Sequence, residues 1–123
     1  MIGEIRVTKA PFFDKANNKQ SFKSRPALVI GQADSSDYVV LPVSRVTNPH
    51  NIDTTYDVLL DPVVYPALNL KKVSYVRTHK QTVIHDSNID KLVSNLKMSY
   101  EDLYIEILAK MEDFQKTLLE KAV

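Results

Sequence analysis

The chain has 123 residues, of which 44% are hydrophobic and 25% charged, with a formal net charge of +1 and no cysteine. That length makes one domain, 1–123, able to bury about two-thirds of the surface its unfolded form exposes. Wholesale disorder, a disulfide framework, a thiolate zinc site and a cysteine nucleophile are excluded.

No apolar run approaches the roughly 18 residues of a membrane span, and Met1 to Arg6 lacks the apolar stretch of a secretion signal. A cytoplasmic protein with no membrane contact is therefore expected. The net charge conceals a gradient: Met1 to His85 carries 11 Lys/Arg against 7 Asp/Glu, and Asp86 to Val123 carries 5 against 8. Tyr65 to His85 contains Lys71, Lys72, Arg77 and Lys80 and no acid. Such an excess suits a polyanion, although a solvated charged face has the same composition.

In chain order, Glu4 to Thr8 predicts a short strand, with Ile5 and Val7 alternating against polar neighbours. Asp14 to Ser24, rich in Lys, Asn and Gln, predicts a surface loop. Pro26–Ile30 and Tyr38–Val43 are apolar runs suited to strands buried on two faces, joined by the turn-forming Asp34-Ser35-Ser36-Asp37. Pro42 lacks a ladder donor and predicts a bulge or an edge. Tyr56–Leu60 predicts a fourth strand, and Asp61-Pro62 and Tyr65-Pro66 break the chain. Val73–Ile84 predicts a fifth strand or a strand pair, with Val73, Tyr75, Arg77 and His79 on one parity.

The C-terminal part predicts helices. Ser87-Asn88-Ile89-Asp90 and Ser99-Tyr100-Glu101-Asp102 both have the capping-box pattern. Tyr104, Ile107, Leu108, Met111, Phe114 and Leu118 then recur at helical spacing, a stripe for the core or for a partner. The sum is an α+β protein: a small, twisted, SH3-like or barrel-like sheet of about five to seven strands with C-terminal helices.

Most catalytic signatures are missing. Two glycines, Gly3 and Gly31, make no phosphate loop, and His50, His79 and His85 have no helical metal-ligand spacing. No metal and no cofactor are expected. What remains is a set of polar residues at strand ends. Pro26 biases Arg25 towards an extended conformation just before an apolar strand. Ser44-Arg45 ends the next strand, so a hairpin brings Arg25 and Ser44 to one rim.

Gly3-Glu4-Ile5, Arg25-Pro26-Ala27-Leu28-Val29-Ile30, Leu41-Pro42-Val43-Ser44 and Val76-Arg77-Thr78 occur in an order that resembles the MazF/PemK toxins, over about the first 115 residues. The resemblance implies a barrel-like homodimer and a metal-independent endoribonuclease that cuts single-stranded RNA. It also implies an antitoxin partner, through which any contact with DNA would be indirect. It places the family's catalytic arginine at Arg25 and its threonine at Ser44, where the hydroxyl is kept. In the PemK branch an Arg and an Asp two residues apart also take part, and these fall at Lys72 and Ser74. Lys72 keeps the charge without the planar fork, and Ser74 offers no carboxylate, so the general base stays open among His79, Lys72 and Arg25.

On this reading Lys72, Ser74, Arg77 and His79 are catalytic or phosphate-binding candidates, and Lys23, Arg45, Lys71 and Lys80 bind RNA. Mobile loops at Lys15–Ser24 and Val46–Thr54 would hold splayed bases, with Tyr56, Phe22 and Phe13 as stacking candidates. Two other readings remain. One is a CcdB-like poison of DNA gyrase, disfavoured because those toxins use a Trp near the C-terminus and this chain has none. The other is a weakened relative that binds RNA or antitoxin without cutting.

Overall fold

The computed structural model describes residues 1–123. Its first feature is a long antiparallel hairpin, β1 (Glu4–Asp14) and β2 (Lys19–Gln32), in continuous register from Ile5↔Leu28 to Asp14↔Lys19. The turn closes because Asp14 Oδ1 accepts from the amides of Ala16 (3.0 Å) and Asn17 (3.3 Å), and Asn18 takes the left-handed φ of 51° that Asn tolerates. The predicted loop at Asp14–Ser24 is thus corrected: beyond a four-residue turn it is strand. Backbone pairing is indifferent to side-chain type, and a ribbon with both faces in water needs no apolar alternation.

β3 (Asp37–Ser44) pairs with β2 from Gln32↔Tyr38 to Ala27↔Pro42, with an irregularity between Val29 and Gly31. β4 (Asp57–Leu60) and β5 (Ser74–Arg77) pair with each other, and β5 pairs with the end of β3. β6 (Thr82–His85) pairs with the start of β3, so Val73–Ile84 is two strands. Pro42 marks neither the bulge nor the edge expected of it. It lies at the seam where the flank of β3 changes partner, from β6 at Val40 to β5 at Val43, and a missing N–H costs no ladder bond there.

The first predicted helix is also corrected. Residues 86–88 form a single tight turn, and β7 (Ile89–Asn95) follows as an edge strand on β1. Ser87 does not cap a helix; its amide and hydroxyl face His85 Nδ1 at 3.1 and 2.8 Å. The open edge of β1 offers this short segment a ladder, and Arg6 Nη1 adds a bond to Asp90 O. α1 (Leu96–Ser99) is capped by Asn95, whose Oδ1 accepts from Met98 N. α2 (Glu101–Ala122) follows a break at Tyr100, and Ser99 closes α1 instead of capping α2.

The sheet runs β4-β5-β3-β2-β1-β7, with β6 alongside β3, as a curled antiparallel half-barrel. Inside the curl, Ile5, Leu28, Leu41, Val43, Val58, Leu60 and Val76 pack against Leu96, Leu103, Tyr104 and Ile107 of the helices. Ala27, Val29 and Val40 form a smaller cluster on the opposite face with Tyr38 and Ile84. The predicted apolar stripe divides: Tyr104 and Ile107 are core, Met111 and Phe114 are half-buried, and Leu118 is 54% exposed. No helix is long and apolar enough to cross a membrane.

Candidate active site

Opposed residues of an antiparallel pair project from one face. Thr8 opposes Arg25, Ser44 opposes Tyr75, and Tyr75 opposes Leu59. The β2–β3 ladder ends at Ala27↔Pro42, and Arg25 and Ser44 each stand two residues beyond that pair, on its face of the sheet. Thr8 and Arg25, then Ser44, Tyr75 and Leu59, therefore lie as a row on the face turned away from the main core, the two groups meeting just past the end of the β2–β3 ladder. Thr8, Tyr75 and Leu59 are the members that sequence reasoning missed, and of these Tyr75 alone offers an accessible hydroxyl. Its parity with Arg77 was legible, but only strand pairing places it beside Ser44.

Arg25 is held by backbone, since Thr8 Oγ1 donates to its carbonyl oxygen at 2.8 Å. The ion-paired arginines are Arg6, with Glu4, and Arg77, with Asp57, which leaves the exposed Arg25 guanidinium free. Ala27, Val40, Pro42 and Ile84 line a small apolar pocket of about 70 Å³ at its side. A free guanidinium on an apolar wall is suited to a phosphate oxygen, because fewer waters compete for its fork of donors. Ser44 is half-buried and Tyr75 likewise, each offering a hydroxyl along the same row.

The other sequence candidates separate. Arg45, Lys71 and Lys72 are exposed near the end of the row, after Ser44 and before β5. Lys23 shares the Arg25 face further out on the hairpin, with Nζ 4.4 Å from the centroid of the Phe12 ring. Lys80 is exposed at the far end of β5. Ser74 is not part of the row; it is 5% exposed, shares the core parity of Val76, and donates to Lys72 O at 3.0 Å. Phe13 and Phe22 are exposed on the other face from Arg25.

Arg77, His79 and Tyr56 gather around two carboxylates. Arg77 Nε donates to Asp57 Oδ1 at 3.1 Å, and its Nη2 to Asp57 Oδ2 at 3.3 Å and Asn51 O at 2.8 Å. His79 lies 3.8 Å from Asp57 Oδ1 and 3.9 Å from Asp53 Oδ2, and its Nδ1 is buried without a hydrogen bond. Tyr56 meets the His79 ring at 5.8 Å and the Phe114 edge at 5.2 Å, as an anchor between sheet and helix. The amide of Tyr56 holds the Asp53 carboxyl below the ordinary carboxylate range against the opposing effect of burial, helped by the amide of Thr55 and by the charges of His79 and Arg77. Asp57, hub of this cluster, left no sequence signal: it is one Asp at the start of a strand.

No protein-family model matches the chain, and no curated protein matches it. Among solved structures, the Mycobacterium tuberculosis toxin MazF-mt6 superposes with a TM-score of 0.61 at 16% identity, over 89% of this chain and 96% of that one. The protein has a MazF-like fold.

Proposed function

We propose that this chain is the toxin of a toxin–antitoxin pair, a sequence-selective endoribonuclease that cleaves single-stranded RNA without a metal and so stops translation and growth. The observation that carries this reading is the row of Arg25, Ser44 and Tyr75 on a MazF-like sheet, with the Arg25 guanidinium free beside an apolar pocket. RNA carries its own nucleophile. The 2′-hydroxyl loses its proton and attacks the adjacent phosphorus, the bond to the 5′-oxygen breaks, and that oxygen takes up a proton. The products are a 2′,3′-cyclic phosphate and a 5′-hydroxyl.

Arg25 clamps a non-bridging oxygen and neutralises charge that grows in the transition state. Ser44 and Tyr75 donate hydrogen bonds to the same phosphate, while Lys23, Arg45, Lys71, Lys72 and Lys80 attract the neighbouring ones. Of the three candidate proton carriers, Arg25 belongs to the row and Lys72 precedes β5 near its end, whereas His79 sits against Asp53 and Asp57. The protein works in the cytoplasm as a single-domain homodimer, inhibited by an antitoxin segment of acidic character; any DNA contact runs through that complex.

The test is incubation of purified protein with labelled RNA in EDTA, followed by mapping of the cuts and their ends. Cyclic-phosphate ends at a recurring short sequence are expected, and folded Arg25→Ala should cut about 10²–10³-fold more slowly, the scale for losing one strong donor to a developing oxyanion. Absence of cleavage by the wild type, or near-native cleavage by Arg25→Ala, defeats the proposal.

A further inference from the structure

The Arg77 guanidinium, a cation for phosphate on sequence grounds, is already engaged inside the protein. It grips Asp57 through two nitrogens and reaches across to Asn51 O at 2.8 Å. The Asp57 side chain has no exposed surface, and its Oδ2 also accepts from Asp53 N at 2.8 Å. Around that pair the chain is held repeatedly. Asp53 Oδ1 accepts from the amides of Thr55 (2.9 Å) and Tyr56 (3.0 Å), Thr78 Oγ1 donates to Tyr56 O at 2.7 Å, and Lys110 Nζ of α2 donates to Thr55 O at 3.0 Å.

All these bonds converge on residues 51–57, the downstream end of the loop that leaves β3 directly after Ser44 and Arg45. The upstream end of that loop is fixed by Ser44, paired with Tyr75 in the candidate site. Between the two anchors the loop exposes Thr47, Asn48, His50 and Asn51, groups with donors and acceptors that can pair with base edges, and residues 46–56 contain no Lys or Arg. Asn48 and Asn51 also bound a tight turn, with Asn48 Oδ1 accepting from His50 N at 3.0 Å.

We infer that the Asp57–Arg77 pair is a positioning device: it holds the loop at 46–56 beside Arg25, Ser44 and Tyr75, and thereby selects which single-stranded sequence the site accepts. The inference rests on the nuclease reading of the row. Arg is suited to the task because one planar group reaches a carboxylate and a carbonyl at once, which a lysine ammonium cannot reproduce with the same geometry.

The experiment compares full-length wild type, Arg77→Lys and Lys110→Ala on two RNA oligonucleotides, one with the mapped cleavage sequence and one with that sequence permuted. Lys110→Ala removes the anchor from α2 to Thr55 O and leaves the ion pair and every base-reading group intact, so it guards against a folding defect in Arg77→Lys. For both variants kcat on the preferred RNA should stay within about threefold, while KM rises and the preference between the two RNAs falls about 10-fold, the scale of one hydrogen bond to a charged group. Hydrogen exchange of the amides at 53–56 should quicken in both. A fall in kcat with KM and preference unchanged, as for a phosphate ligand, overturns the inference, and so does unaltered preference in both variants. If the wild type cuts no RNA, the nuclease reading fails by itself. The inference is then read from fluorescence anisotropy with the tightest- and the weakest-binding of a set of single-stranded RNA oligonucleotides, where preference equal to wild type in both variants overturns it.

Discussion

Ser44 is the residue whose chemistry is most sharply testable. Only a hydroxyl is common to Ser and Thr, so Ser44→Thr should keep cleavage near wild type and Ser44→Ala should lose much of it. Equal rates for the two variants in a single-turnover assay would show the hydroxyl unused. Tyr75 faces Ser44 across β3 and β5, and Tyr75→Phe removes one oxygen while keeping the ring. If its phenol donates to the phosphate, cleavage should fall about 10-fold or more, the scale of a hydrogen bond to a charged group, with the cut sequence unchanged. An unaltered rate would leave Tyr75 a spacer. Gly3 shows the same dependence on fine geometry. Its φ is +89°, and a Cβ there would run into Lys97 Cβ, at the point where Lys97 N bonds to Gly3 O at 3.1 Å.

Among the elements, β4, β5 and the loop before them stand or fall with two carboxylates. Asp57 has no exposed side-chain surface and Arg77 is 15% exposed, so removing one partner leaves the other charged, desolvated and unpaired. Asp57→Ala should lower the unfolding free energy by about 3 kcal/mol or more, read from urea denaturation, whereas a loss under about 1 kcal/mol would show that water replaces the carboxylate. Asp53 carries a pH dependence with a definite sign. Its folded pKa lies below its ordinary value of 3.8, so the unfolded chain takes up a proton first as pH falls. The stability that Asp53 contributes is complete above the ordinary carboxylate range and is lost as pH drops through the lowered folded value. The thermal midpoint of wild type should therefore exceed that of Asp53→Asn at pH 6, and the gap should close below about pH 4. A gap that widens in acid would reverse the assignment.

For the whole molecule, charge and apolar surface make separate predictions. With Arg77 paired to Asp57, the free cations near the row are Arg45, Lys71 and Lys72, with Lys23 and Lys80 further off. If about three phosphates are neutralised, the log–log slope of RNA affinity against salt should be roughly −2 for a single strand. Replacing Lys71 and Lys72 by Ala should flatten it without changing the cleavage sequence, because phosphate contacts position and base contacts specify. An unchanged slope would remove both lysines from the interface. The distal part of α2 leaves Leu118 54% and Leu119 66% exposed, surface suited to a second copy, and light scattering at micromolar concentration should give twice the chain mass. A monomer mass would defeat the dimer.

The sequence by itself determined whatever depends on local pattern. Apolar runs marked β2, β3 and β4, the Asp-rich turn joined β2 to β3, and helical spacing from Tyr104 onward marked α2, because periodicity and turn chemistry are written in neighbouring residues. That Arg25 begins one of these apolar strands and Ser44 ends the next was legible for the same reason. Only the tertiary structure decided the rest. Residues 19–24 are strand and not loop, and 89–95 are strand and not helix, because a free neighbouring edge supplies hydrogen bonds that outweigh local preference. Tyr75 joins the row and Ser74 leaves it through the pairing of β5 with β3, where a shift of one residue exchanges the two faces. Arg77 turns inward because Asp57, 20 positions away, meets it across β4 and β5. An arginine's role depends on the charge that reaches it first, and that is a matter of distance in space that no local stretch of sequence encodes.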